Sequence, residues 1–158
     1  MKPLTVLVVD DDLLSRMVLQ RSVVQWGYHA VTAVDGEAAC EVLQNREIDI
    51  CLMDWNMPKM SGVEVCRWLR TRSGQQPYVV LITTNDQPEH TQEGYEAGAD
   101  DYLTKPCDMK YLRRRLATVA EKLQNLAYPQ SETPQESVAG MNPLDIYLSD
   151  LRLMRGKS

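Results

Sequence analysis

Acidic and basic side chains in this sequence follow apolar segments at positions where they could meet. Asp54 ends the apolar run at residues 50–53 of the segment DICLMDWNMPKMSG. A carboxylate at the end of a buried strand is unfavourable unless it is solvated, paired or bound to a metal. Other polar side chains follow neighbouring apolar runs in the same way: Asp10 and Asp11, Thr83, and Lys105 with Pro106.

These residue types predict phosphoryl chemistry if they converge. Three clustered carboxylates repel one another, and a cation or raised pKa values must relieve the repulsion. Oxygen ligands that leave space for water favour Mg²⁺ over a closed zinc site. With a metal bound, Asp54 would stay ionised and act as a nucleophile toward phosphorus, while the metal and Lys105 neutralise the phosphoryl oxygens.

The elements that would bring these residues together alternate along the chain. The nearly continuous apolar run at residues 4–9 predicts a strand buried on both faces, and further strands are predicted at residues 28–33, 48–53, 78–82 and 102–103. Helical patterns follow them at residues 13–26, 36–44, 62–71, 88–97 and 108–126. Five strand–helix units in a row predict an α/β domain with a parallel sheet, whose functional groups gather at the carboxyl ends of the strands.

Composition restricts the class of protein. The formal net charge of −5 and the pI near 5.0 argue against nucleic acid as the main partner. No segment approaches the roughly 18 to 20 apolar residues that a membrane span needs, so we expect a cytoplasmic protein. The cysteines have no ligand-like spacing, which favours small core residues in a reducing compartment: Cys40, Cys51, Cys66 and Cys107.

The composition changes near residue 127. We expect the α/β domain to occupy residues 1–126, followed by a linker rich in Pro, Ser, Gln and Glu at 127–142. Residues 143–158 recover apolar positions with the spacing of one amphipathic helix. Three interpretations of this tail stay open: a linker to an output domain, a segment that docks on a partner or second subunit, and a disordered end.

Four segments, VLVVDDD, LMDWNMPKMSG, LITT and GADDYLTKP, resemble in order and spacing the receiver domain of bacterial two-component response regulators. The resemblance covers about residues 4 to 125, and DWNMP is similar to the corresponding stretch of the chemotaxis regulator. It implies a flavodoxin-like, doubly wound sheet in the order 2-1-3-4-5. It also implies that the protein is not an enzyme in the usual sense, since it catalyses only its own phosphorylation and dephosphorylation.

The resemblance implies a role for each matching residue. Asp54 would accept the phosphoryl group from a phosphohistidine, and Mg²⁺, or Mn²⁺ in its place, would be held by Asp10, Asp11, Asp54 and the backbone carbonyl of Asn56. The phosphate-binding and switch residues would be Lys105, Thr83 and Tyr102, with Tyr102 turning from an outward to an inward rotamer. Asn56 and Asn85 would tune hydrolysis, and the Lys105–Pro106 peptide would be cis.

The implied partners are a histidine kinase or phosphotransfer protein and an output domain or downstream protein. The output surface in this family is helix 4, strand 5 and helix 5, where Asp101 and Arg115 carry opposite charges. That pair favours the hypothesis of a phosphorylation-dependent homodimer, against the simpler interpretation of solvated surface charges. No membrane and no nucleic-acid partner is expected through this segment.

Two other functions fit part of the sequence. A haloacid-dehalogenase-like phosphatase also begins with a DxD motif, but the key acid of this chain, Asp54, lies on strand 3 and precedes the threonine. A degenerate receiver that serves only as a scaffold is the other alternative. Among the remaining residues, we expect Asp12 to cap a helix, Trp55 to be partly exposed over the site, and His29 and His90 to be surface residues outside it.

Overall fold

The computed structural model describes residues 2–127. Its strands are β1 (Thr5–Val9), β2 (His29–Ala33), β3 (Ile50–Asp54), β4 (Tyr78–Thr83) and β5 (Asp101–Thr104). Its helices are α1 (Leu13–Gln25), α2 (Gly36–Asn45), α3 (Gly62–Arg70), α4 (Pro88–Glu96) and α5 (Met109–Ala127). The ten elements correspond to those predicted, with ends shifted by a few residues at most. Apart from residue 127, the last of α5, the predicted linker and C-terminal helix lie outside the described residues.

The five strands form one parallel sheet in the order β2-β1-β3-β4-β5. This confirms the doubly wound, flavodoxin-like α/β fold. The order reverses beside β1, so β1 and β3 are neighbours although β2 lies between them in sequence. Ligands of open α/β sheets bind outside the carboxyl ends of strands at such a reversal.

Both faces of the sheet are covered, which explains the continuous apolar runs. Alternate strand residues on one face share a core with α2 and α3: Leu7, Val9, Cys51, Met53, Val79 and Leu81. The residues between them point to the other face and are equally buried: Val6, Val8, Ile50, Leu52, Val80 and Ile82. Helix α1 contacts β1 and β2 and buries Leu19 and Val23.

Local signals define the helix ends. The Asp12 carboxylate accepts from the Ser15 backbone N–H at the start of α1, and Asp35 does the same for Ala38 at the start of α2. Helix α3 begins with a capping box between Ser61 and Glu64. The expectation that Asp12 is a helix cap is therefore met.

The cysteines are free thiols, and their burial agrees with the expectation of core residues. Cys51 and Cys66 are fully buried, whereas Cys40 and Cys107 are half-buried. Burial raises the pKa of the Cys66 thiol to about 11, so it stays protonated at neutral pH.

The described residues divide into two units. The first extends to Arg113 and holds the sheet, helices α1 to α4 and the first residues of α5. The second begins at Arg114 and holds the remainder of α5, whose buried side chains Leu116, Val119 and Ala120 follow a helical spacing. Within residues 2–127, no helix is both long enough and apolar enough to span a membrane.

Candidate functional site

The predicted site residues lie at the carboxyl edge of the sheet. Asp10 and Asp11 directly follow β1, Asp54 is the last residue of β3, Thr83 is the last residue of β4, and Lys105 directly follows β5. Because the strands are parallel and in register, their final residues meet at one edge. The first unit alone contains all of these residues.

Three carboxylates cluster at this edge. Asp10, Asp11 and Asp54 each offer a carboxylate oxygen, and the three oxygens lie within 4.8 Å of one another. Asp10 and Asp54 are buried, with 1% and 8% of their surface exposed, whereas Asp11 faces solvent. The donor set is all oxygen with one open side, which fits a hard cation such as Mg²⁺ that retains several waters.

Lys105 forms ion pairs with both buried acids. Its Nζ donates to Asp10 Oδ2 at 2.9 Å and lies 3.4 Å from Asp54 Oδ2. Burial lowers the pKa of Lys105, but the hydrogen bond to Asp10 and the charge of Asp54 outweigh burial and raise it. Lys105 therefore stays protonated at neutral pH. Its backbone N–H donates to the Thr83 carbonyl at 2.7 Å, and the Lys105–Pro106 peptide is cis.

The Lys105 charge alone does not offset the unfavourable environment of the Asp54 carboxylate. Burial raises the pKa of Asp54, the Lys105 charge lowers it, and the Asp10 charge raises it again, with a net increase. A bound cation would reverse this balance by favouring the ionised carboxylate.

The backbone around Asp54 is held by a close approach of α3. The Gly62 N–H donates to the Trp55 carbonyl at 2.8 Å, and the Trp55 N–H donates to the Ile82 carbonyl at 2.9 Å. A Cβ on Gly62 would lie 2.4 Å from the Asp54 carbonyl oxygen and 3.1 Å from Trp55 Cα. Only glycine fits at this position without displacing the backbone of Asp54.

Replacing Gly62 with alanine should therefore lower the free energy of unfolding by about 1–3 kcal/mol, the usual range for overpacking. The reason is that the new Cβ would clash with backbone atoms of Asp54 and Trp55, which cannot rotate away as a side chain can. Gly94→Ala is the matched control, because its Cβ would meet only side-chain atoms, at 3.2 to 3.4 Å. Urea unfolding of both variants measures the difference, and equal losses would show that the Gly62 contact relaxes without strain.

Thr83 and Tyr102 are linked through Asn85. Thr83 is fully buried, and its Oγ1 accepts from the Asn85 backbone N–H at 3.2 Å. The hydroxyl of Tyr102 donates to the Asn85 carbonyl. The Tyr102 ring is half-buried, and burial raises the pKa of its phenol. Asn56 and Asn85 are both exposed.

Asp101 and Arg115 are not the solvated surface charges of the simpler interpretation, because both are buried, with 4% and 7% of their surface exposed.

Two further sequence expectations were wrong. Trp55 is buried, with 7% of its surface exposed, because α4 covers its ring. His90 belongs to α4 and is half-buried against the site, since its ring stacks on Trp55 with a centroid distance of 3.4 Å. A signal was present in the sequence: Gly94 lies one helical turn after His90, and a glycine on that face permits close packing. His29 is exposed, as expected.

An apolar cavity of about 520 Å³ lies beside Lys105. Its lining includes Leu14 and Val18 of α1 together with Pro106 and Met109. Leu14 is 71% exposed, so α1 presents apolar surface directly next to the carboxylates. Exposed apolar surface of this kind is typical of places where another molecule binds.

Comparison with known proteins agrees with this geometry. The sequence model of one protein family, the response regulator receiver domain, matches residues 6–117. The alkaline phosphatase synthesis transcriptional regulatory protein PhoP of Bacillus subtilis is 32% identical over 94% of this chain and 60% of its own length. The response regulator MprA of Mycobacterium sp. (strain KMS) is 38% identical over 76% of this chain and 52% of its own length. The chain thus spans about half to three-fifths of the length of these relatives.

Solved structures show the same architecture. The chemotaxis protein CheY4 of Vibrio cholerae has a TM-score of 0.70 and 33% identity, covering 75% of this chain and 99% of its own. The receiver domain of the Francisella response regulator 1452 has a TM-score of 0.72 and 29% identity, covering 77% and 99%.

Proposed function

Since the chain belongs to the family of response regulator receiver domains, we propose that Asp54 accepts a phosphoryl group from the phosphohistidine of a histidine kinase in a Mg²⁺-dependent reaction. One observation carries the proposal: the buried Asp54 carboxylate lies 3.4 Å from Lys105 Nζ, in a cluster with Asp10 and Asp11. The residues proposed as nucleophile, charge stabiliser and metal ligands are thus close enough to act together.

The metal would be held by the carboxylates of Asp10, Asp11 and Asp54 and by the Asn56 carbonyl, with Mn²⁺ as a substitute for Mg²⁺. When bound, the divalent cation neutralises the clustered carboxylates and the phosphoryl oxygens. Lys105 contributes the second positive charge, already oriented by Asp10.

In the transfer itself, a carboxylate oxygen of Asp54 attacks phosphorus as the phosphorus–nitrogen bond to the donor imidazole breaks. The bonding electron pair stays on the imidazole nitrogen. The leaving group is neutral imidazole, either because its second nitrogen was already protonated or because the ring takes up a proton from solvent. Lys105 stabilises the negative charge on the transferred group. Water later hydrolyses the acyl phosphate, at a rate tuned by Asn56 and Asn85, so the protein catalyses only its own phosphorylation and dephosphorylation.

The donor would dock on the apolar surface of α1 beside the cavity, where Leu13, Leu14 and Val18 are 61%, 71% and 49% exposed. Thr83 and Tyr102 would then transmit phosphorylation to α4 and β5, the surface for an output domain or downstream protein. A homodimer through this surface stays a hypothesis, which sedimentation before and after phosphorylation would test.

The test is phosphorylation of the full chain with acetyl phosphate. We expect one phosphoryl group per chain in Mg²⁺ and none after chelation with EDTA. Reduction of the acyl phosphate with borohydride converts the modified aspartate to homoserine, and peptide mass spectrometry should find this change at Asp54. Absence of any acyl phosphate, in a protein that binds Mg²⁺, would instead favour a phosphorylation-independent scaffold.

A further inference from the structure

His90 contacts Trp55, which directly follows β3, and Thr83, the last residue of the neighbouring strand β4. Its ring stacks on Trp55, with a centroid distance of 3.4 Å and an interplanar angle of 24°. Its Nε2 lies 3.4 Å from Thr83 Oγ1. The ring of Tyr102 meets both aromatic rings edge-on, at centroid distances of 6.2 Å. His90 is therefore packed into the switch residues.

The hydrogen-bonding capacity of Thr83 limits what its hydroxyl can do. A hydroxyl group has one proton to donate and two lone pairs that accept. The Asn85 N–H already occupies an acceptor position on Thr83 Oγ1. Thr83 is 0% exposed, so its proton must be directed to a protein group and not to bulk water. Two protein groups are placed to receive it: His90 Nε2, which lies 3.4 Å from Thr83 Oγ1, and the Tyr102 hydroxyl, whose own proton is donated to the Asn85 carbonyl.

We propose that His90 is a positioning residue that acts through Thr83. In the resting protein, the unprotonated His90 Nε2 accepts the Thr83 hydroxyl proton and so competes with a phosphoryl oxygen for it. The inference rests on the proposed function, in which Thr83 donates to the phosphoryl group on Asp54. Phosphorylation would then break the contact between Thr83 and His90, and α4 would be released from the end of β4.

The packing around His90 supports a fixed acceptor. The stack on Trp55 restrains the imidazole plane. Trp55 is itself buried and directly follows Asp54 in the sequence. Gly94 lets the helix approach closely, because its Cα has no side chain between it and Trp55 Cζ3 or Tyr102 Cδ2. Because the ring is restrained, it cannot rotate away, and Nε2 stays directed at Thr83.

The test uses His90→Phe, which keeps an aromatic ring over Trp55 but removes the acceptor. Beryllofluoride serves as the phosphoryl mimic, and calorimetric titration in Mg²⁺ measures its affinity for the full chain. Removing a competitor for one hydrogen bond should tighten binding by about three- to tenfold. His90→Gln, which returns an acceptor of similar reach, should restore the affinity of the parent protein.

A double-mutant cycle separates this role from general packing. In a Thr83→Ala background, His90→Phe should leave beryllofluoride affinity unchanged, because no hydroxyl proton is left to compete for. Unchanged or weaker binding in His90→Phe alone would overturn the inference, as would a gain that persists without the Thr83 hydroxyl. If the parent protein binds Mg²⁺ but no beryllofluoride, the proposed function fails as well.

Discussion

Replacing Asp54 with asparagine is expected to abolish acyl phosphate formation with any phosphodonor. An amide oxygen is a poor nucleophile, and the variant also loses one of the three clustered carboxylates. We expect phosphorylation below detection by mass spectrometry and weaker Mg²⁺ binding by calorimetric titration. The control is Asp12→Asn, since Asp12 caps α1 and asparagine caps helices equally well.

The same variant should be more stable than the parent when no metal is present. The pKa of Asp54 is raised in the folded protein, mainly by burial. Ionising a carboxyl group whose folded-state pKa is raised lowers the free energy of unfolding, and this penalty is fully present above that pKa. It disappears as the pH falls through the folded-state pKa toward the pKa of the unfolded chain. Asparagine has no such penalty, so the melting temperature in EDTA at neutral pH should rise, and the gain should shrink as the buffer is acidified.

Two outcomes would contradict these expectations. Phosphorylation of Asp54→Asn at the rate of the parent would place the phospho-acceptor at another residue. A melting temperature below that of the parent in EDTA at neutral pH would show that the attraction between Asp54 and Lys105 outweighs the cost of burying the carboxylate.

Replacing Lys105 with methionine is expected to slow phosphorylation by about 10²- to 10³-fold, the usual effect of removing one preorganised donor to developing negative charge. Methionine has a similar length without the charge, so the loss reflects the ammonium that now lies beside Asp10 and Asp54. Phosphorylation rates with acetyl phosphate at saturating Mg²⁺ measure the effect.

The Mg²⁺ affinity of Lys105→Met should increase, although its phosphorylation rate falls. The Lys105 ammonium lies 2.9 Å from Asp10 Oδ2 and competes with a cation for that carboxylate. Its removal should tighten Mg²⁺ binding while phosphorylation slows, a combination that unfolding would not produce. Lys59→Met is the control, because Lys59 is exposed, pairs with Asp35 and Glu37 and not with the clustered carboxylates, and should alter neither quantity. Equal phosphorylation rates in both variants would remove Lys105 from the mechanism.

The sequence alone determined the order of elements and the position of the site. The continuous apolar run at residues 4–9 indicated a strand buried on both faces, and residues 6–9 of β1 are indeed fully buried. Once parallel strands are inferred, the residues after β1, β3, β4 and β5 must share one edge. Local caps such as Asp12 were also predictable, because a cap depends only on residues within one helical turn.

Only the tertiary structure decided how those residues meet. Lys105 bonds to Asp10 more closely than to Asp54, and nothing in the sequence ranks the two acids. The stack of His90 on Trp55 and the close approach of Gly62 to Asp54 depend on how α4 and α3 lie against the sheet. Spacing along a chain sets which edge of the sheet a residue occupies. Distances of a few ångströms between side chains on different elements are set instead by packing and rotamers, as are the burial and the charged neighbours that shift the pKa of Asp54.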